Sequence, residues 1–409
     1  MQSGRVPGRR GRERRRAPRR RRRLARPLLT VGGVLLALVL MLVGWGLVEP
    51  LTLRREEETA IVPGLPSAWE GRRIAAFGDL QIGMWWDNVG TVERAVDLVL
   101  AERPAAALIL GDLVYHIDRP DAGEIATVTG ILGRLPGAGI PTFAVLGNHD
   151  HGISREQDAE IAGVASALAA ALEAVGVRVL SNQAVPLVLG GAGETAAGQG
   201  ETAAGQGETV AGRGETAAGQ GETVAGRGET AAGQGETVAG QGETAAGRRD
   251  TLYVVGIGSH LAGRDSVVAA LRHVPPEAAR VVFFHHPAVF PLLPAGAAPL
   301  AVAGHTHGGQ FSLPGLPGWN ELSLGREREV HAAGWADRSY GAPGNRLWVN
   351  RGIGMSIVPL RINAPPEVTF FTLQADPRRH RDAAAAAAAG GGAGSARHRH
   401  DPGVRPGTR

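Results

Sequence analysis

The chain has 409 residues, a formal net charge of +4 and no Cys. The lack of Cys excludes disulfides and thiolate metal sites. Residues 1–26 carry +12 and the stretch from Asp376 onward +4, which leaves −12 on residues 27–375. The basic character therefore belongs to the ends, and it gives no support for a nucleic-acid-binding core.

Residues 1–26 form an arginine-rich arm with thirteen Arg and one Glu. Leu28 to Val48 follows without a single charge, and a helix of that length spans a bilayer core of about 30 Å. Trp45, near its far end, is an interfacial residue type. The positive-inside rule places the arm in the cytoplasm and the rest of the chain, a domain over 55–375, outside. The expectation is an uncleaved signal-anchor; a cleaved signal peptide or a twin-arginine signal at Arg22-Arg23 is the alternative, giving an exported form.

Beyond the anchor, five short apolar runs end in polar residues. Ile74–Phe77 leads to Gly78-Asp79-Leu80-Gln81, and Ala106–Leu110 to Gly111-Asp112-Leu113-Val114-Tyr115. Thr142–Leu146 leads to Gly147-Asn148-His149-Asp150, Val281–Phe284 to His285-His286-Pro287, and Pro299–Ala303 to Gly304-His305-Thr306-His307-Gly308-Gly309-Gln310. Runs apolar along their whole length read as strands buried on both faces. Helices are expected between them, over Val92 to Ala101 and Ile161 to Val175. The polar residues then fall at the carboxyl ends of strands, where α/β folds build sites. Asp, Asn and His without Cys favour Mn, Fe or Zn. There are enough groups for two ions sharing one carboxylate, an arrangement suited to phosphoryl chemistry.

From Gly193 to Arg248 a seven-residue unit, Gly-Glu-Thr-Ala/Val-Ala-Gly-Gln/Arg, recurs eight times. Two glycines per unit oppose helix, and no large apolar pair sits at coiled-coil spacing. The tract reads as a disordered loop replacing a hairpin turn, because Leu187–Leu189 before it and Leu252–Val255 after it read as strands. Residues 376–409, with His398 and His400, read as a low-complexity tail.

The ordered blocks around Asp79, Asp112, Asn148-His149, His285 and His305-x-His307 resemble the calcineurin-like metallophosphoesterases. Gly304–Gln310 is especially similar to the bacterial YkuE/YaeI-like branch of exported or membrane-attached members. Trp348–Gly354 and Pro359–Glu367 look like that branch's C-terminal strands. The resemblance implies a four-layer α/β/β/α sandwich, here preceded by one transmembrane helix. It implies two divalent ions: Asp79 and His307 hold the first, Asp112 bridges, and Asn148, His285 and His305 hold the second. His149 would contact the phosphate or protonate the leaving oxygen while a bridging hydroxide attacks phosphorus in line. Phosphodiesters or pyrophosphates are the implied substrates. The short linker after Val48 adds the hypothesis of a lipid-linked or envelope phosphate.

Two positions depart from the family pattern. Gln81 stands where a metal-binding His is usual and would be a weaker ligand. Tyr115 stands where a second Asp usually orients the catalytic histidine, and its hydroxyl is the expected replacement partner. The alternative function is a catalytically weak or inactive metal-binding scaffold; an envelope protein built on the repeats is a further rival. Asp150 is expected to cap the following segment, and His116 and His151 to face solvent. His286 is expected to neighbour the ligand His285, and Arg351 to be structural. Trp85-Trp86 are read as a substrate mouth, a bilayer contact or core.

Overall fold

The computed structural model describes residues 19–116, 119, 123–154, 158–189, 250–312 and 331–377. The repeat tract, most of the tail and the start of the basic arm lie outside these residues. The first helix, α1, runs Arg19–Val48, and Leu29–Leu51 within and just after it is long and apolar enough to cross a membrane. Its apolar side chains are exposed, from Leu29 at 75% to Val48 at 57%, so no domain core accounts for them.

Two six-stranded sheets follow. The first has the order β1 (Arg54–Val62), β12 (Glu367–Ala375), β2 (Arg73–Phe77), β3 (Ala106–Ile109), β4 (Thr142–Ala144) and β5 (Val177–Val179). The second has the order β10 (Gly334–Trp335), β11 (Leu347–Val349), β9 (Ala301–Ala303), β8 (Arg280–Phe283), β7 (Thr251–Gly256) and β6 (Gln183–Val188). All five predicted ligand-bearing strands form. Strands β2 to β5 run parallel in the first sheet, as do β7, β8, β9 and β11 in the second.

Side-chain alternation builds the layers. In β2, Ala75 and Phe77 pack into the core under α2 (Val89–Glu102), α3 (Gly123–Leu132) and α5 (Val164–Ala174). Ile74 and Ala76 face the other way, joining Leu108, Phe143, Val254, Phe283 and Val302 between the sheets. In β8, Val281 and Phe283 face that inner core, while Val282 packs outward with Phe284, Phe290 and Ala270 of α6 (Val267–Leu271). The order helix, sheet, sheet, helix is the expected four-layer sandwich. Among the described residues, its second outer layer comprises α6 and the 3-10 turn Pro287–Leu292.

The strands flanking the repeat tract pair antiparallel, from Gln183 opposite Gly256 to Val188 opposite Thr251. The tract thus leaves and re-enters at the tip of one hairpin. One expectation needs correction. Pro359–Glu367 is not a strand; proline at three of its nine positions removes ladder donors, and the strand begins only at Glu367. Arg54–Val62, with five charged residues in nine, does form a strand. It sits at the sheet edge, where charged outer positions are tolerated, and pairs in parallel with β12.

Candidate metal centre

The site lies where the carboxyl ends of both sheets converge. Asp79 follows β2, Asp112 follows β3, Asn148 and His149 follow β4, His285 follows β8, and His305 and His307 follow β9. Short turns after each strand swing these side chains inward at a conformational cost. Asp79, Gln81, Asp112, His305 and His307 all have positive φ, between 49° and 74°. Such backbone in non-glycine residues costs about 1–3 kcal/mol each and clusters at functional sites. Glycine is required beside them: a Cβ on Gly147 would lie 2.1 Å from Asp112 Oδ1, and one on Gly304 would lie 2.6 Å from Asp79 Oδ2.

Two groups of potential ligands form, Asp79–Asp112–His307 and Asp112–His285–His305, each with its ligand atoms within 4.8 Å of one another. Asp112 is common to both. His285 Nε2 lies 3.2 Å from Asp112 Oδ2, and its Nδ1 donates to Leu110 O at 2.8 Å. That backbone bond turns the outer nitrogen toward the site, as a ligand histidine requires. His307 Nε2 lies 3.6 Å from Asp79 Oδ1, and the Asp79 carboxylate accepts from His305 N at 3.0 Å.

Two buried oxygens test whether this donor set suits a cation. Gln81 Oε1 and Asn148 Oδ1 find no hydrogen-bond partner among the described residues. Unpaired buried acceptors are costly in a folded protein, and a divalent ion is the partner that oxygen atoms in a ring of carboxylates and imidazoles suit. The residues fit divalent ions. Gln81 lies beside these groups, and its Nε2 donates to Asp112 Oδ2 at 3.1 Å and lies 3.4 Å from His307 Nε2. Turning the amide over would present its oxygen to the same two groups.

The electrostatics follow from burial against charge. Burial raises the Asp79 carboxyl to about 7, with the Asp112 charge adding to it. Burial alone would raise Asp112 as well, but the His285, His149 and His305 rings hold it well below the usual carboxylate range. Burial opposes the charge on His285, yet Asp112 and Asp79 lift it to about 9. Burial drives His307 down to about 3, helped by the Arg361 guanidinium, and drives His305 well below its ordinary value. Neutral imidazoles are the ligand form.

His149 stands at the rim with Nε2 4.0 Å from Asp112 Oδ2. The Tyr115 hydroxyl does not orient it. Its Nδ1 donates instead to the Tyr115 backbone carbonyl at 2.5 Å, and the two rings stack 5.6 Å apart. Asp150 does not cap the following segment. Buried, it accepts from Leu113 N at 2.8 Å, Val114 N at 3.2 Å and Gly147 N at 2.8 Å, tying the Asp112 and Asn148 turns together. His151 is buried, not solvent-facing, and bonds Glu160 at 2.8 Å; His116 is exposed. His286 packs its ring 4.1 Å from that of His305 and accepts from Ala288 N, which makes it a neighbour of the site. Arg351 pairs with Glu56 and Glu367 at 2.5 Å, a structural role. Trp85 and Trp86 are 66% and 47% exposed, so the core reading fails.

One residue escaped the sequence reading. Arg361 is fully buried behind His307 and donates to the carbonyls of Gly354, Ala364, Arg351 and His307. An arginine flanked by Leu360 and Ile362 in an otherwise apolar stretch was the available signal.

Residues 72–195 match the family described as calcineurin-like phosphoesterase. The chain is also similar to the uncharacterized metallophosphoesterase YkuE of Bacillus subtilis (strain 168), 38% identical over 76 residues. That alignment covers 19% of this chain and 24% of that protein, so the chain spans about a quarter of the length of the relative it matches. The family match takes in Asp79, Gln81, Asp112, Asn148 and His149. His285, His305 and His307 lie beyond it and join the same centre through the second sheet.

Proposed function

We propose that the chain, whose residues 72–195 match the calcineurin-like phosphoesterase family of hydrolases acting on phosphate esters, hydrolyses phosphodiesters or pyrophosphates at a two-ion centre on the outer face of a membrane. The observation that carries this is the pair of ligand groups sharing Asp112, with the buried oxygens of Gln81 and Asn148 left without a hydrogen-bond partner among the described residues. Two divalent ions (Mn, Fe or Zn by donor type) would activate water at neutral pH and neutralise charge on the phosphate oxygens.

The chain's own residues supply the rest. Asp79, Gln81 and His307 would hold one ion, and Asn148, His285 and His305 the other, with Asp112 between them. Turns rooted in five buried strand ends fix these groups before substrate arrives, so little reorganisation is needed in the transition state. His149 would donate from Nε2 to the phosphate or to the leaving oxygen. Its Nδ1–H bond to the Tyr115 carbonyl aims Nε2 at the site but stabilises charge on the ring less than a carboxylate partner would. In this reading a single domain over 55–375, interrupted by the 193–248 tract, is anchored by the helix over 28–48.

Hydrolysis of bis-p-nitrophenyl phosphate with several divalent ions, beside Asp112→Asn and His305→Ala, tests the proposal. Ion-dependent hydrolysis lost in both variants is expected; activity surviving both contradicts it. A metal-binding scaffold without turnover is the second reading, favoured by the Gln81 amide nitrogen facing Asp112. Metal binding with no hydrolysis under any ion would support it.

A further inference from the structure

One loop runs from the metal centre to the anchor helix. At its start, Gly354 N donates to Asp79 O at 2.6 Å, and a Cβ there would lie 2.7 Å from Gln81 Cβ. At its end, Arg361 N donates to Gly46 O at 3.0 Å, a Cβ on Gly46 would lie 3.2 Å from Ile362 Cγ1, and Asn363 N donates to Glu49 Oε2 at 2.6 Å. Between these fixed ends the loop turns outward and leaves Ile357 76% exposed. Trp85, just after Gln81, donates from Nε1 to Ile357 O at 3.4 Å and meets Trp86 edge-on at 6.2 Å. Leu51, at the same end of the anchor, is 57% exposed, and the Arg94 guanidinium bonds its carbonyl.

We propose that Trp85, Trp86 and Ile357 form a tip that inserts into the membrane interface beside the anchor helix and seats the metal centre against that bilayer. The proposal rests on the reading that the first helix spans a membrane. Three large apolar side chains are brought together: Ile357 on a loop whose backbone is pinned to the end of that helix, and Trp85 and Trp86 on a neighbouring loop tied to it through the Trp85 indole. Tryptophan favours the headgroup level, where its ring is buried and its N–H is satisfied. Insertion of about 5–10 Å is the usual depth for such surfaces. Among the described residues, the other exposed large apolar side chains of the domain, Ile61, Val188, Val268 and Leu292, belong to four separate elements. The seat places the Asp79–Gln81 turn a few residues from lipid, so phosphate esters carried by lipids of that bilayer are the substrates it favours.

The chain has seven Trp and no Cys, so a single introduced Cys is the clean reporter. The full chain would be reconstituted in phosphatidylethanolamine–phosphatidylglycerol vesicles containing phospholipid spin-labelled either near the headgroup or deep in the acyl chain. An environment-sensitive fluorophore would be attached at Ile357→Cys, Trp86→Cys, Leu38→Cys in the anchor or Ser166→Cys on the exposed face of α5. Lipid-borne label is expected to reduce emission about twofold at positions 357 and 86 and to leave 166 unchanged. Quenching at 38 by deep spin label, without quenching at 357 and 86, would overturn the seat and leave the span intact. No quenching at 38 by deep spin label would overturn the span, and the seat with it. Protection of 357 from aqueous iodide without lipid quenching would assign the tip to a protein partner instead.

Discussion

Asp150 holds the two turns that carry Asp112 and Asn148, and its removal should loosen both at once. The carboxylate accepts from three buried backbone N–H groups, those of Leu113, Val114 and Gly147, at 2.8 to 3.2 Å. Asp150→Ala leaves all three without a partner, at about 1–3 kcal/mol each. Relief of burying a carboxyl already pushed up to about 7 by burial and by Asp112 offsets part of that loss. The expected net cost is about 4 kcal/mol. Asp150→Asn keeps Oδ1 for Leu113 and Val114 but sets an amide NH2 against Gly147 N–H, so it should cost about 1–3 kcal/mol. Urea unfolding of the full chain in detergent micelles, followed by circular dichroism, measures both. Metal titration should show both variants weakened in the same order, because the displaced turns carry ligands. An Ala variant within about 1 kcal/mol of the parent would refute this account of how the turns are held.

Gln81→His replaces an amide with the stronger imidazole donor and should tighten the more weakly held ion by at least about tenfold in calorimetric titration. Unchanged affinity would remove Gln81 from the ligand set. Loading should strengthen with pH, because the raised Asp79 carboxyl and the raised His285 imidazolium must lose protons to become ligands. Below pH 7 both protons leave on binding, between about 7 and 9 only that of His285, and each adds about a tenfold gain in apparent affinity per pH unit. A flat pH profile from 6 to 9 would contradict this. Tyr115→Phe should change kcat by less than about twofold, because His149 uses the Tyr115 carbonyl and ring and not its hydroxyl. Deleting 193–248 should leave hydrolysis intact, since β6 and β7 stay paired at the hairpin, and should shift stability by no more than about 2–3 kcal/mol.

The strand ends were legible in the sequence because their signal is local: a short apolar run followed by a ligand-type residue, with Gly between them in four of the five. Five such blocks in order carry the family resemblance that implies the layered fold, and the helices over 89–102 and 164–174 fall within a few residues of their expected places. What the sequence did not reveal depends on distant partners. Arg54–Val62 becomes a strand because β12 returns from the far end of the chain to pair with it. Arg361 can be buried because four carbonyls from separate turns surround its guanidinium. Asp150 is aimed backward at Leu113 and Val114, and no spacing rule shows that direction. Tyr115 was judged by its side chain, whereas the interaction that matters is made by its backbone.

The left-handed turns at Asp79, Gln81, Asp112, His305 and His307 were foreshadowed only by the glycines beside them. Strain at these five positions is held in place by strands buried on both faces, and it concentrates where ligands must converge. Gln81 remains the point of tension. It occupies the right place, with a free oxygen and a nitrogen turned toward the carboxylate that two ions would share.

Metal content is therefore the most direct measure of the central claim. Purified full-length chain, loaded with Mn, Fe or Zn and freed of excess, would be analysed by inductively coupled plasma mass spectrometry beside Asp112→Asn and His307→Ala. The account predicts two ions per chain in the parent, near one in His307→Ala, and loss from both positions in Asp112→Asn. A parent that holds no ion, or an Asp112→Asn variant that keeps two, would contradict it.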